Sequence, residues 1–242
     1  SGGASTLSLD TRPELFAARN NAIKASFKTP QTNLLGAAFG GVTAQAQADG
    51  ELLSSVMGGA ATLKTVFPGT PTAANLAMVA RLISVASTLK VKRQVFFVLL
   101  PGFDTHGSQV ASHNPLLTEL SGALKAFYDA TVELGVANQV TTFTASDFGR
   151  TYTPNFGGTD HGWGNPQFIV GGAVQGGDIY GAMPSLTVGG NDDTGRGRWI
   201  PSTSVDEYSA TLASWFGVSA SNLPTVLPNI GRFATPNLGF LT

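Results

Sequence analysis

The chain has three histidines, and two of them stand in short polar clusters with acidic neighbours. Asp104-Thr105-His106 follows the apolar run Val95-Phe96-Phe97-Val98-Leu99-Leu100. Asp160-His161 lies in Gly157-Gly158-Thr159-Asp160-His161-Gly162, beyond a second strand-like run that ends in Ala145-Ser146-Asp147-Phe148-Gly149-Arg150. Carboxylates and imidazoles gathered at strand ends hold divalent metals in many α/β proteins. The expected metal ligands are Asp104, His106, His161 and Asp160, a donor set compatible with zinc, manganese or calcium. Asp147 and Arg150 are the candidate catalytic residues. Asp147 would complete the site or bridge to a second ion, and Arg150 would grip a phosphate or sulfate with both arms of its guanidinium. An open coordination position would then activate water or polarise a phosphoryl or sulfuryl oxygen.

Each residue also has a plainer reading. Asp after Gly-Gly-Thr commonly satisfies backbone donors in a turn. Arg150 could anchor a loop through carbonyls, and Asp147 could cap a helix. His113, just before Asn114, reads as a surface histidine.

Positioning such clusters takes a frame of strands and helices. Pro13 to Phe27 reads as a helix capped by Thr11, and a second helix is expected from about Thr43 to Val66, weakened by Gly50, Gly58 and Gly59. Phe67-Pro68-Gly69-Thr70-Pro71 is a breaker. Asn75 to Leu89 is helical, with Leu76, Val79, Ala80, Ile83 and Ala86 on one face and Lys90, Lys92 and Arg93 complementing its C-terminal dipole. The uninterrupted Val95–Leu100 run predicts a strand covered on both faces. Pro115 to Leu134 reads as a helix capped by Asn114 and closed by Gly135, and its apolar face is Leu120, Leu124, Phe127, Thr131 and Leu134. Val140 to Ala145 and Gln167 to Val170 are the next strands. Strand, helix, strand predicts a βαβ unit with parallel neighbours. Ser204 and Glu207 form a capping box for a helix to Phe216, stopped by Gly217, with Val205, Tyr208, Leu212 and Trp215 buried. The tail from Leu223, with three prolines, is expected to wrap the body as a loop.

These elements predict an α/β fold, a mostly parallel sheet flanked by helices. Residues 1–70 form a helical, Ala/Gly/Ser-rich segment packed on a core of residues 71–242. Composition narrows the function. Charged residues make up 12% of the chain, against roughly 25% in an average domain, and the net charge is -1. No basic surplus serves nucleic acid or an anionic membrane. There is no cysteine, which removes disulfides, thiolate zinc sites and cysteine nucleophiles. No apolar run approaches the ~20 residues of a membrane span. The low charge and abundant Gly and Thr suit an exported protein. A phosphate loop lacks its Gly-Lys-Ser/Thr ending at Gly171–Gly177, and no Gly-x-Ser-x-Gly elbow occurs. Asp192-Asp193 resembles a calcium-loop fragment but has no glutamate at the required offset, so a solvated turn is the better reading.

The segments Gly102-Phe103-Asp104-Thr105-His106, Ser146-Asp147-Phe148-Gly149-Arg150, Gly158-Thr159-Asp160-His161-Gly162 and Gly171-Gly172-Ala173-Val174 with Gly176-Gly177 resemble signature segments of the domain-of-unknown-function 1501 proteins. Thr203-Ser204-Val205-Asp206-Glu207-Tyr208 and Thr211-Leu212-Ala213-Ser214-Trp215-Phe216-Gly217-Val218 carry the same resemblance. It runs from about Ala74 to the C-terminus and matches the C-terminal part of a family member. The family is similar to the alkaline phosphatase and sulfatase superfamily. The resemblance therefore implies a metal-dependent hydrolase fold, completed by an N-terminal part. It places Asp104, His106 and His161 at one metal's ligands, and Asp147 where the superfamily has an Asp-His pair. Here Phe148 follows Asp147, and Asp104-x-His106 is shorter than the superfamily's Asp-x-x-x-His. No Ser/Thr nucleophile is identifiable in residues 1–70.

The expectation is an exported, periplasmic or extracellular hydrolase of phosphate or sulfate esters, its signal removed, with a divalent metal as cofactor. Its expected partners are its own N-terminal fragment and further copies of itself, with no nucleic acid and no membrane span. The alternative is a non-catalytic surface or structural protein on the same scaffold, with a degenerate or structural metal site. Trp163 and Trp199 suggest a third option, carbohydrate binding.

Overall fold

The structure is a computed structural model that describes residues 13–27, 29–30 and 32–242. The chain falls into two units, residues 1–62 with 81–92 and residues 63–80 with 93–242.

In the first unit the helical signals produce α1 (Pro13–Phe27) and α2 (Leu34–Met57). The expected Thr11 cap of α1 lies outside the described residues. The second helix starts earlier than its apolar pattern suggests. Asn33 supplies the cap, its Oδ1 accepting from the N–H groups of Leu35 at 2.8 Å and Gly36 at 3.1 Å. The helix ends at Gly58, the first of two consecutive glycines. Lys24 on α1 pairs with Glu51 on α2 at 2.7 Å.

In the second unit α3 (Pro71–Ser84, its last turn assigned to the first unit) starts at Thr70-Pro71, with Thr70 Oγ1 accepting from Ala73 N. Leu76, Val79 and Ala80 are buried, as their spacing requires. The helix α4 (Gln109–Glu133) is longer than expected. It begins at Ser108, and Pro115 lies inside it where a first-turn position is expected. Ala123, Ala126, Phe127, Ala130 and Thr131 form its buried side. Two acidic side chains tie α4 to the first turn of α3 and to the segment before it. Glu119 accepts from Thr72 N at 3.1 Å, and Glu133 accepts from Lys64 N at 2.7 Å and Thr65 N at 2.9 Å.

Among the described residues the strands are β1 (Thr141–Phe143), β2 (Gly149–Pro154), β3 (Thr159–Gly162) and β4 (Ile169–Gly171). They make two small antiparallel sheets, β1 with β4 and β2 with β3. This overturns the expected mostly parallel sheet flanked by helices, and with it the βαβ unit. The lengths of the apolar runs locate β1 and β4 but carry no information on direction. Thr141 pairs with Gly171 and Phe143 with Ile169, so the second strand returns antiparallel. The Val95–Leu100 run is no strand. It has no backbone partner among the described residues, and Val95, Phe97 and Leu99 are exposed while the residues between them are half-buried. Its continuous hydrophobicity conceals a two-sided segment that only one side of the protein covers.

The helix α5 (Val205–Phe216) carries both halves of the capping box, Ser204 Oγ accepting from Glu207 N at 3.1 Å and Glu207 accepting from Ser204 N at 2.8 Å. Gly217, at φ 108°, closes it. Arg93, expected to serve the helix before it, instead donates its Nε–H to Phe216 O at the end of α5, at 2.6 Å. Val205, expected inside, is exposed, and the buried positions are Ala210 and Thr211. Ala210 packs with Leu223 of the short helix α6 (Leu223–Val226) and with Ile230. The proline-containing tail therefore contributes to the core as well as wrapping it. Phe240 is fully buried beside the rings of Tyr180 and Tyr208, and residues 173–175 bond the backbone of residues 240–242.

Phe240→Ala should cost about 3–5 kcal/mol of unfolding free energy through the cavity it leaves, read from urea midpoints. The backbone donors of Lys64 and Thr65, with the Thr65 hydroxyl, hold the Glu133 carboxyl below its ordinary value of 4.5. Its contribution to stability is present above that value and disappears as pH falls through the depressed folded one. Glu133→Gln should remove this part of the acid sensitivity, flattening the dependence of the melting temperature on pH below about 4.5 relative to the parent.

Candidate metal centre

The site grows from two backbone segments that the sequence separates and the fold joins. The first is the loop between Leu100 and α4. Gly102 takes φ 106°, a conformation open to glycine, and turns the chain. Thr105 N then bonds back to Phe103 O at 2.9 Å. Ser108 adopts φ 50°, unusual for a residue with a side chain, at the start of α4. The Thr105 hydroxyl, between Asp104 and His106, is buried without a hydrogen-bond partner among the described residues. Strain of this kind marks loops whose shape the surroundings enforce.

The second segment is the β2–β3 hairpin, in which Arg150 faces His161 across the ladder. Asn155 Oδ1 accepts from Gly157 N at 3.1 Å and Gly158 N at 2.8 Å, which builds the turn. A side chain at Gly158 would lie 3.1 Å from the backbone of Thr105 and His106, so the turn meets the loop at a position that favours glycine. Gln109 fastens the junction, its N–H donating to Gly157 O at 3.1 Å while Thr159 Oγ1 bonds its side chain at 2.8 Å.

Asp104, His106 and His161 converge there, their ligand atoms all within 4.8 Å of one another. Asp104 Oδ1 lies 2.7 Å from His161 Nε2 and 3.0 Å from His106 Nε2. A tetrahedral ion with bonds of about 2.0–2.1 Å would separate such atoms by roughly 3.3 Å, so each of the two contacts with Asp104 Oδ1 need open by only tenths of an ångström to admit one. The side chains remain between 45% and 64% exposed, which leaves room for further ligands. The hydrogen bond from His161, followed by the charges of the two imidazoles and Arg150, holds the Asp104 carboxyl below its ordinary value against a smaller opposing effect of desolvation.

A stack of planar groups orients the imidazoles. The Phe148 ring lies flat on His161 at 4.0 Å, and His161 stacks on His106 at 5.0 Å. Arg150 also lies over the Phe148 ring, with Cζ 5.0 Å from the ring centroid. Phe148, a departure from the resembled pattern, thus supports a candidate ligand.

The other expected residues take different places. Arg150 donates Nη1–H to Thr159 O and Nη2–H to Phe103 O, both at 2.6 Å, with Asp104 3.8 Å away. That is the carbonyl-anchoring role. Asp147 is exposed and outside the converging group. Asp160 is also outside it. Its Oδ1 accepts from Asn155 Nδ2 at 3.0 Å and lies 3.7 Å from His106 Nδ1, while Oδ2 meets Arg196 Nη1 at 2.5 Å. The Asn155 bond and then Arg196 keep its carboxyl below its ordinary value. His113 stacks edge-on with Phe103 at 5.5 Å. Asn155, Gln109 and Arg196 escaped the sequence reading, and Phe148 entered it only as a departure from the resembled pattern. An Asn two residues before Gly-Gly is a legible turn signal, but nothing marks Arg196 among the loop residues.

Arg196 is delivered by a loop that Asp192 and Asp193 organise. Asp193 collects the backbone N–H groups of Gly189, Gly195 and Arg198, which pull its carboxyl down to about 2. Asp192 accepts from Ser185 N at 2.8 Å. The pair serves as a turn, as the sequence suggested. Trp163 is exposed and donates to Thr194 Oγ1, whereas Trp199 is half-buried against Tyr152 and its indole N–H has no partner among the described residues.

Arg150→Ala should strand two half-buried carbonyls and cost about 1–3 kcal/mol in denaturant unfolding. Arg150→Lys, which reaches fewer acceptors, should recover only part of that loss.

Comparison with known proteins gives one positive result. The family described as "Protein of unknown function (DUF1501)" matches residues 14–196. The match begins well before Ala74 and includes Asp104, His106, Asp147, Arg150, Asp160, His161 and Arg196. No curated protein matches the chain, and no solved structure does. Since the matched span covers most of its length, the chain belongs to the DUF1501 family.

Proposed function

We propose that this protein binds a divalent cation through Asp104, His106 and His161 and serves as a metal-dependent hydrolase of phosphate or sulfate esters. The observation that carries the reading is the approach of both imidazole Nε2 atoms to one carboxylate oxygen, at 2.7 and 3.0 Å, in an exposed position. Two nitrogens and one oxygen favour zinc or manganese over calcium, which prefers oxygen donors throughout. Three protein ligands leave coordination positions open, the arrangement of catalytic rather than closed structural sites. A divalent ion so held would supply Lewis-acid activation of water and polarisation of a phosphoryl or sulfuryl oxygen. Within the protein, Asp104 contributes charge, Phe148 fixes the His161 ring, and Arg150 holds the two backbone segments together. Low charge and a Gly/Thr-rich composition support an exported, periplasmic or extracellular, setting.

The direct His161–Asp104 hydrogen bond favours a second reading. In it the cluster braces two loops of a non-catalytic surface or structural protein, around a structural ion or none.

Zinc titration of the metal-stripped chain against a competing chelator, followed by aryl phosphate and aryl sulfate assays, separates these readings. The hydrolase reading expects saturable zinc binding, turnover that chelation abolishes, and an affinity loss greater than about 100-fold in His161→Ala, since a ligand matters more than its supports. Zinc binding without turnover of either ester would leave the structural reading, and no zinc binding would remove the metal centre altogether.

A further inference from the structure

We infer that Asp160 is a positioning residue for the metal centre, a carboxylate that orients His106 from behind while Asn155 and Arg196 hold it in place. The inference rests on the proposed metal-binding reading and assigns Asp160 a role within it. His106 offers Nε2 to the Asp104 oxygen and turns Nδ1 toward Asp160 Oδ1, 3.7 Å away. Those are the two ends of one imidazole, so a ring that coordinates through Nε2 presents an Nδ1–H to Asp160. A metal-bound histidine ordinarily donates that second N–H to a carboxylate or carbonyl, which fixes its tautomer and rotation. The present separation is longer than a hydrogen bond. A small rotation of His106, of the kind needed to open the 3.0 Å contact with Asp104 around an ion, can close it.

Asp160 is itself well fixed. Its backbone N–H donates to Thr151 Oγ1 at 3.1 Å, and Thr151 is buried in β2. Asn155 Nδ2 donates to Oδ1, the same oxygen that faces His106, and leaves it capacity for a second donor. Arg196 takes Oδ2. The carboxylate therefore has one rotational setting, with its remaining acceptor capacity near His106. His161 has no such support, since no partner for its Nδ1 occurs among the described residues, and it relies on the Phe148 ring face instead. The two histidines are oriented by different means, one by a charged acceptor and one by stacking.

The test is zinc titration of the metal-stripped full chain, combined with nitrogen-edited NMR of the histidine rings. Asp160→Asn should weaken zinc binding by about 10–100-fold and remove a downfield, exchange-protected His106 Nδ1–H that zinc-loaded wild type displays. Arg196→Ala should weaken binding less, with Arg196→Lys restoring most of the loss. Should Asp160→Asn fail to fold by circular dichroism, Arg196→Ala alone decides, and unchanged zinc affinity and an unchanged Nδ1–H there overturn the inference. A folded Asp160→Asn with wild-type affinity and signal also overturns it. So does a loss as deep as that of His161→Ala with the Nδ1–H retained, which would make Asp160 a ligand. If wild type takes up no zinc, the metal-centre reading fails and this inference with it; if wild type binds and Asp160→Asn binds equally, only the positioning role falls.

Discussion

The guanidinium of Arg150 donates to Phe103 O and to Thr159 O, and the site depends on that bridge. Phe103 precedes Asp104 and Thr159 precedes Asp160 and His161, so one planar cation holds two distant segments at the carbonyls next to their functional side chains. A guanidinium suits this task because its donors point in fixed directions and it cannot lose its charge in a protein. The bridge is largely covered by protein, with the Arg150 side chain 18% exposed. In such surroundings an unpaired carbonyl is expensive, and the two segments have a strong reason to stay together. The positive charge also lies near Asp104, where it favours the ionised carboxylate that a cation needs.

Around that bridge the site has an asymmetric build. Its ligand atoms face solvent, while the parts that aim them are half-buried or lie in backbone hydrogen bonds. Phe148 stacks on His161 and His161 on His106, while the covered Arg150 guanidinium lies over Phe148, so contacts connect the covered guanidinium to the exposed imidazoles. On the opposite flank, Asp193 organises the loop that brings Arg196 to Asp160. Exposed side chains with fixed bases can admit a ligand without reorganising the protein.

Local chemistry was legible in the sequence wherever a few neighbouring residues decide the outcome. Ser204 and Glu207 satisfy each other's backbone groups within one turn, and Pro13 to Phe27 is helical as its pattern says. The gathering of Asp104, His106 and His161 was expected from their residue types, their places at expected strand ends and the family resemblance; the residues meet although the parallel sheet does not form. What failed was inference across distance. Val95–Leu100 reads as a fully covered strand, yet coverage is a property of its neighbours, and Val95, Phe97 and Leu99 lie exposed. The parallel sheet rested on that strand and fell with it. The start of α4 was misplaced because Asn114-Pro115 looks like a helix start, whereas Ser108 in a left-handed conformation begins the helix a turn and more earlier. Arg150 was equally compatible with an anion grip and a carbonyl brace, and only the positions of Phe103 and Thr159 distinguish them.

The central claim is that Asp104, His106 and His161 surround one divalent ion, and anomalous diffraction at the zinc edge from zinc-soaked crystals tests it most directly. The account predicts a single strong peak between Asp104 Oδ1 and the two Nε2 atoms, at about 2.0–2.1 Å from each. A map without a peak there, or with zinc bound elsewhere while His161 keeps its hydrogen bond to Asp104, would contradict it.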